Sequence, residues 1–227
     1  MRRLLLIPML LATPAGAAED IVAGLSLDQI EINSSYTGAD IMVFGAIERP
    51  AAPGGRDVVV VVRGPDTQIT VRRRDRIAGV WMNREAARFQ GMPAFYFLAG
   101  TRPLNQIAAP EVLTRYGLGV GHLTPAAIVT HHDPEPFREA AMRQLEARGL
   151  YIEAPGSIDF HSESLFKTVV PVPASAPRGQ YNVEVYLFRD GDVVSVQSTP
   201  FFIDQTGLER RLYSLAHNSP VLYGFAA

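Results

Sequence analysis

The sequence predicts a mainly β protein of immunoglobulin-like sandwich architecture, arranged as two lobes around a helical insert. Three observations lead there. Short apolar runs with strand character lie on both sides of the middle of the chain, bounded by turn residues, and the 227 residues include 19 Gly and 17 Pro. Residues 181–188, the turn Asp190-Gly191 and residues 193–196 form a clear hairpin pattern. Just before it, Pro177-Arg178-Gly179-Gln180-Tyr181 resembles the loop that enters a late strand of immunoglobulin-like sandwiches, where a Tyr turns the corner.

Composition narrows the function. A hydrophobic fraction of 47% with 19% charged residues excludes a disordered chain, and a net charge of −2 argues against a general nucleic-acid binder. All basic residues except Lys167 are arginine, which reads as codon bias in a GC-rich genome. The chain contains no cysteine, so thiol catalysis, Cys-ligated zinc and disulfides are excluded and stability rests on burial.

Met1, Arg2 and Arg3, an apolar run over residues 4–11 and Ala15-Gly16-Ala17 read as a secretory signal peptide, residues 1–17, too short to span a bilayer. Residues 18–105 read as the first β lobe. Leu25 and Leu27 lie on odd positions and Ile30 and Ile32 on even ones, so a bulge or a strand switching sheets is expected near Asp28-Gln29. Residues 41–47 and 58–62 are apolar on both parities, as central strands covered on both faces would be, with a Pro/Gly turn over 50–55 between them. Residues 68–74, extending toward Trp81, and 95–98 complete the lobe.

Residues 106–149 read as a helical connector. Pro110 to Tyr116 forms a short helix stopped by Gly117; Asp133 caps a second, with Pro134 at its first position, Phe137, Ala141 and Leu145 four apart, and Gly149 as its stop. Residues 150–206 read as the second β lobe. In 207–227, Leu208, Leu212 and Leu215 mark an amphipathic helix, and Ser219-Pro220 opens an apolar run that starts like a membrane anchor.

His131-His132-Asp133 with Glu135, and His161 at a distance, is the nearest approach to a metal cluster, but adjacent residues diverge from one ion. Asp159, His161, Ser162, Glu163 and Ser164 hold the residue types of a hydrolase triad, yet triads converge in space rather than in sequence, and these read as a polar loop. Gly117-Leu118-Gly119-Val120-Gly121 follows a helix rather than a strand and reads as a helix stop and link. Arg72, Arg73, Arg74 and Arg76, with Trp81, are the candidate interaction surface, able to take lipid phosphate, an anionic glycan or an acidic partner. No catalytic, metal or cofactor residue is assigned, and no cofactor is expected.

Together with the leader, Gly79-Val80-Trp81-Met82-Asn83, Pro93-Ala94-Phe95-Tyr96, Gly179-Gln180-Tyr181 through Gly191, and Gly207-Leu208-Glu209 through Leu222-Tyr223-Gly224 give the chain a resemblance. It resembles a family of alphaproteobacterial transmembrane proteins of unknown function. The resemblance implies one membrane-spanning helix after a periplasmic part, which this sequence would only begin before Ala227. The expected function is a non-catalytic periplasmic accessory held at the cytoplasmic membrane, with an inner-membrane protein partner and no nucleic acid. The alternative is a periplasmic ligand- or metal-binding module or hydrolase with its site near His131 and His132.

Overall fold

A computed structural model describes residues 19–32, 37–48, 55–77, 79–129 and 133–205. The leader, the turn over 50–54, His131 and His132, and the tail over 207–227 lie outside the described residues. The strands are β1 (Asp20–Leu25), β2 (Gln29–Ile32), β3 (Gly38–Glu48), β4 (Arg56–Arg63), β5 (Asp66–Ile77), β6 (Val80–Pro93), β7 (Tyr96–Gly100), β8 (Ala126–Val129), β9 (Tyr151–Pro155), β10 (Asp159–Phe160), β11 (Leu165–Pro173), β12 (Gly179–Arg189) and β13 (Asp192–Gln205). Helices α1 (Leu104–Ile107), α2 (Pro110–Tyr116) and α3 (Glu135–Ala147) lie in the middle of the chain, with a 3₁₀ turn over Val120–His122. The protein is mainly β.

The strands form three sheets, ordered β1-β3-β11-β10, β2-β13-β12-β4-β7-β9 and β5-β6-β8. The two larger sheets turn alternating side chains toward each other: Ile41, Val43 and Ile47 of β3 and Phe166, Val170 and Val172 of β11 face a core shared with Val58, Val60 and Val62 of β4 and Val183, Val185 and Leu187 of β12. The parity change near Asp28 is a strand switching sheets. β1 pairs with β3 in one sheet, and four residues later β2 pairs with β13 in the other, with Ile30 buried.

The two-lobe expectation is corrected by the pairing. β3 joins β11, β4 joins β12 and β7 joins β9, so strands from before residue 105 and after residue 150 are bonded side by side in both large sheets. Each apolar face finds its cover in the distant half of the chain, because neither half has two complete faces to close on its own.

Residues 58–62 are buried on both faces, as expected for a central strand. β3 is not: Met42 and Phe44 point outward with Val22 and Val169, all exposed. Two close contacts shape this sheet. Gly45 of β3 lies beneath the Phe166 ring, where an added Cβ would come within 2.5 Å of the ring and 2.6 Å of the Val22 carbonyl. The free edge of β1 is closed by a side chain, since the Gln197 amide accepts from the Ala23 N–H (2.5 Å) and donates to the Ala23 carbonyl (3.1 Å).

At Asp190 and Gly191, φ values of 50° and 93° match the hairpin turn read from the sequence. The Tyr181 hydroxyl donates to the carbonyl of Pro177, four residues upstream, while its ring packs between Phe95 and Phe201. Helix α2 ends at Gly117 in the left-handed conformation. In α3 the buried residues are Phe137, Ala141, Met142 and Leu145; the helix begins one residue later than expected, with Pro134 rather than Asp133 at its N-cap, and the Asp133 carboxylate accepts the Glu135 N–H at 3.1 Å from the turn before it. The connector is not wholly helical, because β8 interrupts it to pair with β6.

Candidate functional site

β4 does not stop at the sheet. Through Gly64 and Pro65 it passes into β5, and β6 returns through Ala94 and Phe95 into β7; the Gly64 N–H bonds the Phe95 carbonyl and the Ala94 N–H the Pro65 carbonyl, both at 2.8 Å. The result is one two-stranded ribbon whose outer half, β5–β6, runs beyond the six-stranded sheet as an arm. Its 12-residue first strand is about 36 Å long. Helix α3 braces one face near Phe137, with a cavity of about 520 Å³ between Val71, Arg72, Arg73 and Glu85 on the arm and Asp133, Pro136, Phe137 and Ala140 at the helix.

Cross-strand register sorts the arginines. Directly opposed residues share a face, and Thr70 faces Arg88, Arg72 faces Ala86, Arg74 faces Asn83 and Arg76 faces Trp81. One face of the arm therefore carries Arg72, Arg74, Arg76, Arg88 and Trp81, all exposed and without a carboxylate. Among the described residues no ion pair joins these four arginines to an acid. Arg73 turns to the other face, where it lies 3.9 Å from Glu85 and 3.6 Å from Asp75. A bulge at Arg84 keeps the two strands in this arrangement, and Arg84 itself pairs with Asp75 at 3.7 Å.

Of the predicted interaction residues, the structure thus brings Arg72, Arg74, Arg76 and Trp81 together and separates Arg73. It adds Arg88, which sequence reasoning missed because its partner depends on the bulges. Strand alternation alone would have separated Arg73 from its neighbours. Trp81 is 67% exposed at the end of the arm, with Val80 at 62% and Met82 at 52% beside it.

A second region, on the far face of β4 and β7, is a fastening rather than a reactive centre. Arg63 pairs with Glu184 and donates to the carbonyls of Tyr116 (2.8 Å) and Gly117 (3.0 Å), closing the C-terminus of α2. The buried Tyr96 hydroxyl donates to the Gly117 carbonyl and accepts from the Gly119 N–H, and Glu153 accepts the Val120 N–H. Burial pushes Tyr186 up to about 12, reinforced by the Glu184 carboxylate it bonds and opposed by Arg63. The phenol therefore stays protonated through the neutral range.

A cavity of about 950 Å³ opens beside α1 and α2, with Asp57, Arg102, Leu104, His122, Glu153 and Asp190 among its lining residues. Its polar groups already serve the fold: His122 Nδ1 shares a 2.9 Å hydrogen bond with Thr114, and Asp57 accepts from Thr101 and Arg102. Burial works against the charged form of Asp57, but the hydrogen bonds from Arg102 and Thr101 and the charge of Arg102 outweigh it and hold the pKa below that of an ordinary aspartate. A lowered folded-state pKa contributes stability that is fully present above the unfolded value near 3.8 and is lost as pH falls through the folded one. Asp57→Asn is accordingly expected to flatten the acid limb of a urea-unfolding series below about pH 5. Because Arg102 is half exposed, the cost at neutral pH should be about 1 kcal/mol.

His161, Ser162 and Glu163 are exposed in the turn between β10 and β11, where Ser162 Oγ accepts the Leu165 N–H as a turn residue does. Among the described residues no group of three or more His, Asp and Glu side chains is placed to hold one metal ion. Nor, among them, is any helix long and apolar enough to cross a membrane. No curated protein matches the chain. Residues 20–227 match the family model described as Putative transmembrane protein (Alph_Pro_TM), and the chain belongs to that family.

Proposed function

We propose that this chain is an exported, non-catalytic accessory protein that works at the periplasmic face of the cytoplasmic membrane and uses the β5–β6 arm as its interaction surface toward an inner-membrane partner. The observation that carries the reading is the arm itself. Beyond its root, where Ala87, Phe89 and Met92 enter the core, the two-stranded ribbon runs outward with exposed Arg72, Arg74, Arg76, Arg88 and Trp81 on one face, and this charged length calls for a role outside the fold. Arg73 belongs to the same arm but lies on the braced face. The membrane location draws on the family, on the leader over residues 1–17 and on the apolar run beginning at Ser219-Pro220.

The immunoglobulin-like architecture is part of the same reading. It is supported by the Tyr181 corner bond, the strand that changes sheets at Asp28 and the antiparallel β4-β12-β13 core of the larger sheet. Such sandwiches commonly serve as rigid bases for protruding recognition elements.

The test is photo-crosslinking in cells from a benzophenone side chain placed at Asn83 of the full native gene product. Repeated recovery of the same inner-membrane protein, absent when the probe sits at Glu139 on α3, is the expected result. Recovery of no membrane protein from either position would overturn the accessory role.

A further inference from the structure

The arm leaves the body at the end from which the chain runs on toward residue 227. β4 and β13 are both antiparallel to β12 and so run in the same direction. Arg63, the last residue of β4, stands opposite Asn182, and Ile203 near the end of β13 stands opposite Gly179. The two exits are neighbours, since a Cβ on Gly179 would lie 3.0 Å from the Pro65 ring. The root of the arm and the end of β13 therefore lie on the same side of the body.

The tip has the makeup of an interfacial anchor. Val80, Trp81 and Met82 place apolar side chains on both faces of the ribbon's end, Trp81 with the arginine face and Met82 and Val80 with the other. An inner-membrane partner seated on the arginine face would leave Val80 and Met82 uncovered. The headgroup and upper acyl region of a bilayer surrounds an inserted tip on all sides, and Trp is enriched at that depth. Behind the tip, Arg76, Arg74, Arg72 and Arg88 follow along one face with no acid among them, set to meet phosphates as the ribbon enters.

We propose that the basic face and tip of the arm bind the anionic phospholipid surface of the membrane, with Trp81 seated at the headgroup boundary and Arg72, Arg74, Arg76 and Arg88 on lipid phosphates. This rests on the reading that the arm is an interaction surface at a membrane, and names its ligand. It orients the body with the arm and the C-terminal exit toward one leaflet.

Trp81 is the sole tryptophan, so emission excited at the red edge, where tyrosine does not absorb, reports the tip alone. Residues 18–227 would be titrated with vesicles of phosphatidylcholine, or of phosphatidylcholine with about one third phosphatidylglycerol, whose charged headgroups give the vesicle a negative surface potential. The expected result is a blue-shifted emission, shielded from iodide, with the anionic vesicles only and reversed by salt. Combined replacement R72Q/R74Q/R76Q/R88Q should weaken the apparent affinity at least about 100-fold, whereas R73Q on the opposite face should change it less than about 2-fold. Circular dichroism of the fourfold variant must match the parent, and if it does not, the single variants R74Q and R76Q carry the test, each expected to lose about 5-fold.

Emission that stays unshifted with anionic vesicles, or shifts equally with neutral ones, overturns the proposal. So does an equal shift with soluble glycerol phosphate, which would make a free phosphate the ligand. If Trp81 remains in water while crosslinking from Asn83 still captures an inner-membrane protein, the lipid ligand fails and the accessory role stands. If Trp81 enters the vesicles and crosslinking recovers nothing, the accessory role fails and the lipid ligand stands.

Discussion

Replacing Tyr181 by alanine is expected to cost about 3–5 kcal/mol and to lower the melting temperature of residues 18–227 by about 10–15 °C. The ring is fully buried, with centroids 5.9 Å from Phe95 and 5.0 Å from Phe201, so truncation opens a cavity where the arm's root meets the larger sheet. Tyr181→Phe keeps the ring and removes the hydroxyl with its bond to the Pro177 carbonyl, so its expected cost is about 1 kcal/mol. The pair of variants separates packing from the corner bond in a urea-unfolding experiment. Equal losses for Ala and Phe would mean that the hydroxyl, not the ring, holds the corner.

Gly45→Val is expected to be comparably damaging, at about 3 kcal/mol or more, for the opposite reason. Here atoms are added where none fit: the Cβ alone would meet the Phe166 ring at 2.5 Å and the Val22 carbonyl at 2.6 Å. The ring could turn aside, but the carbonyl belongs to a strand in register with β3, where Ala23 faces Gly45, and cannot move without breaking that ladder. Gly121→Ala is the control, since its Cβ would meet nothing within 4 Å and should change stability by less than about 0.5 kcal/mol. Thermal unfolding of both variants decides the matter, and an unchanged transition for Gly45→Val would show that β1 and β3 are not held as described.

The arm shows how much of the site could be read from the chain. Density of charge and the single tryptophan mark Arg72, Arg74, Arg76 and Trp81 in the sequence, although Phe89, Phe95 and Phe97, of the kind that fill cores, lie close by along the chain. Those three rings are buried and Trp81 is not. Sequence proximity misleads here because an extended ribbon moves each pair of residues about 7 Å farther from its root, and Trp81 lies at the far end. Arg73 lies on the other face by simple alternation within β5, which a reading by charge density alone passes over, whereas the place of Arg88 depends on opposition across strands, set by bulges at Arg84 and near Gln90.

What the sequence determined by itself is local. The hairpin turn at Asp190-Gly191, the stop of α2 at Gly117, the start and buried stripe of α3 and the face change near Asp28 all follow from backbone preferences and side-chain periods acting over a few residues. The tertiary structure alone decided that the two halves share their sheets, that β3 leaves Met42 and Phe44 uncovered, and that Gln197 closes the edge of β1. An apolar period tells a strand which face to bury but not which distant strand will lie beside it. That choice is made by the joint packing of surfaces separated by more than a hundred residues, and no short window of sequence contains it.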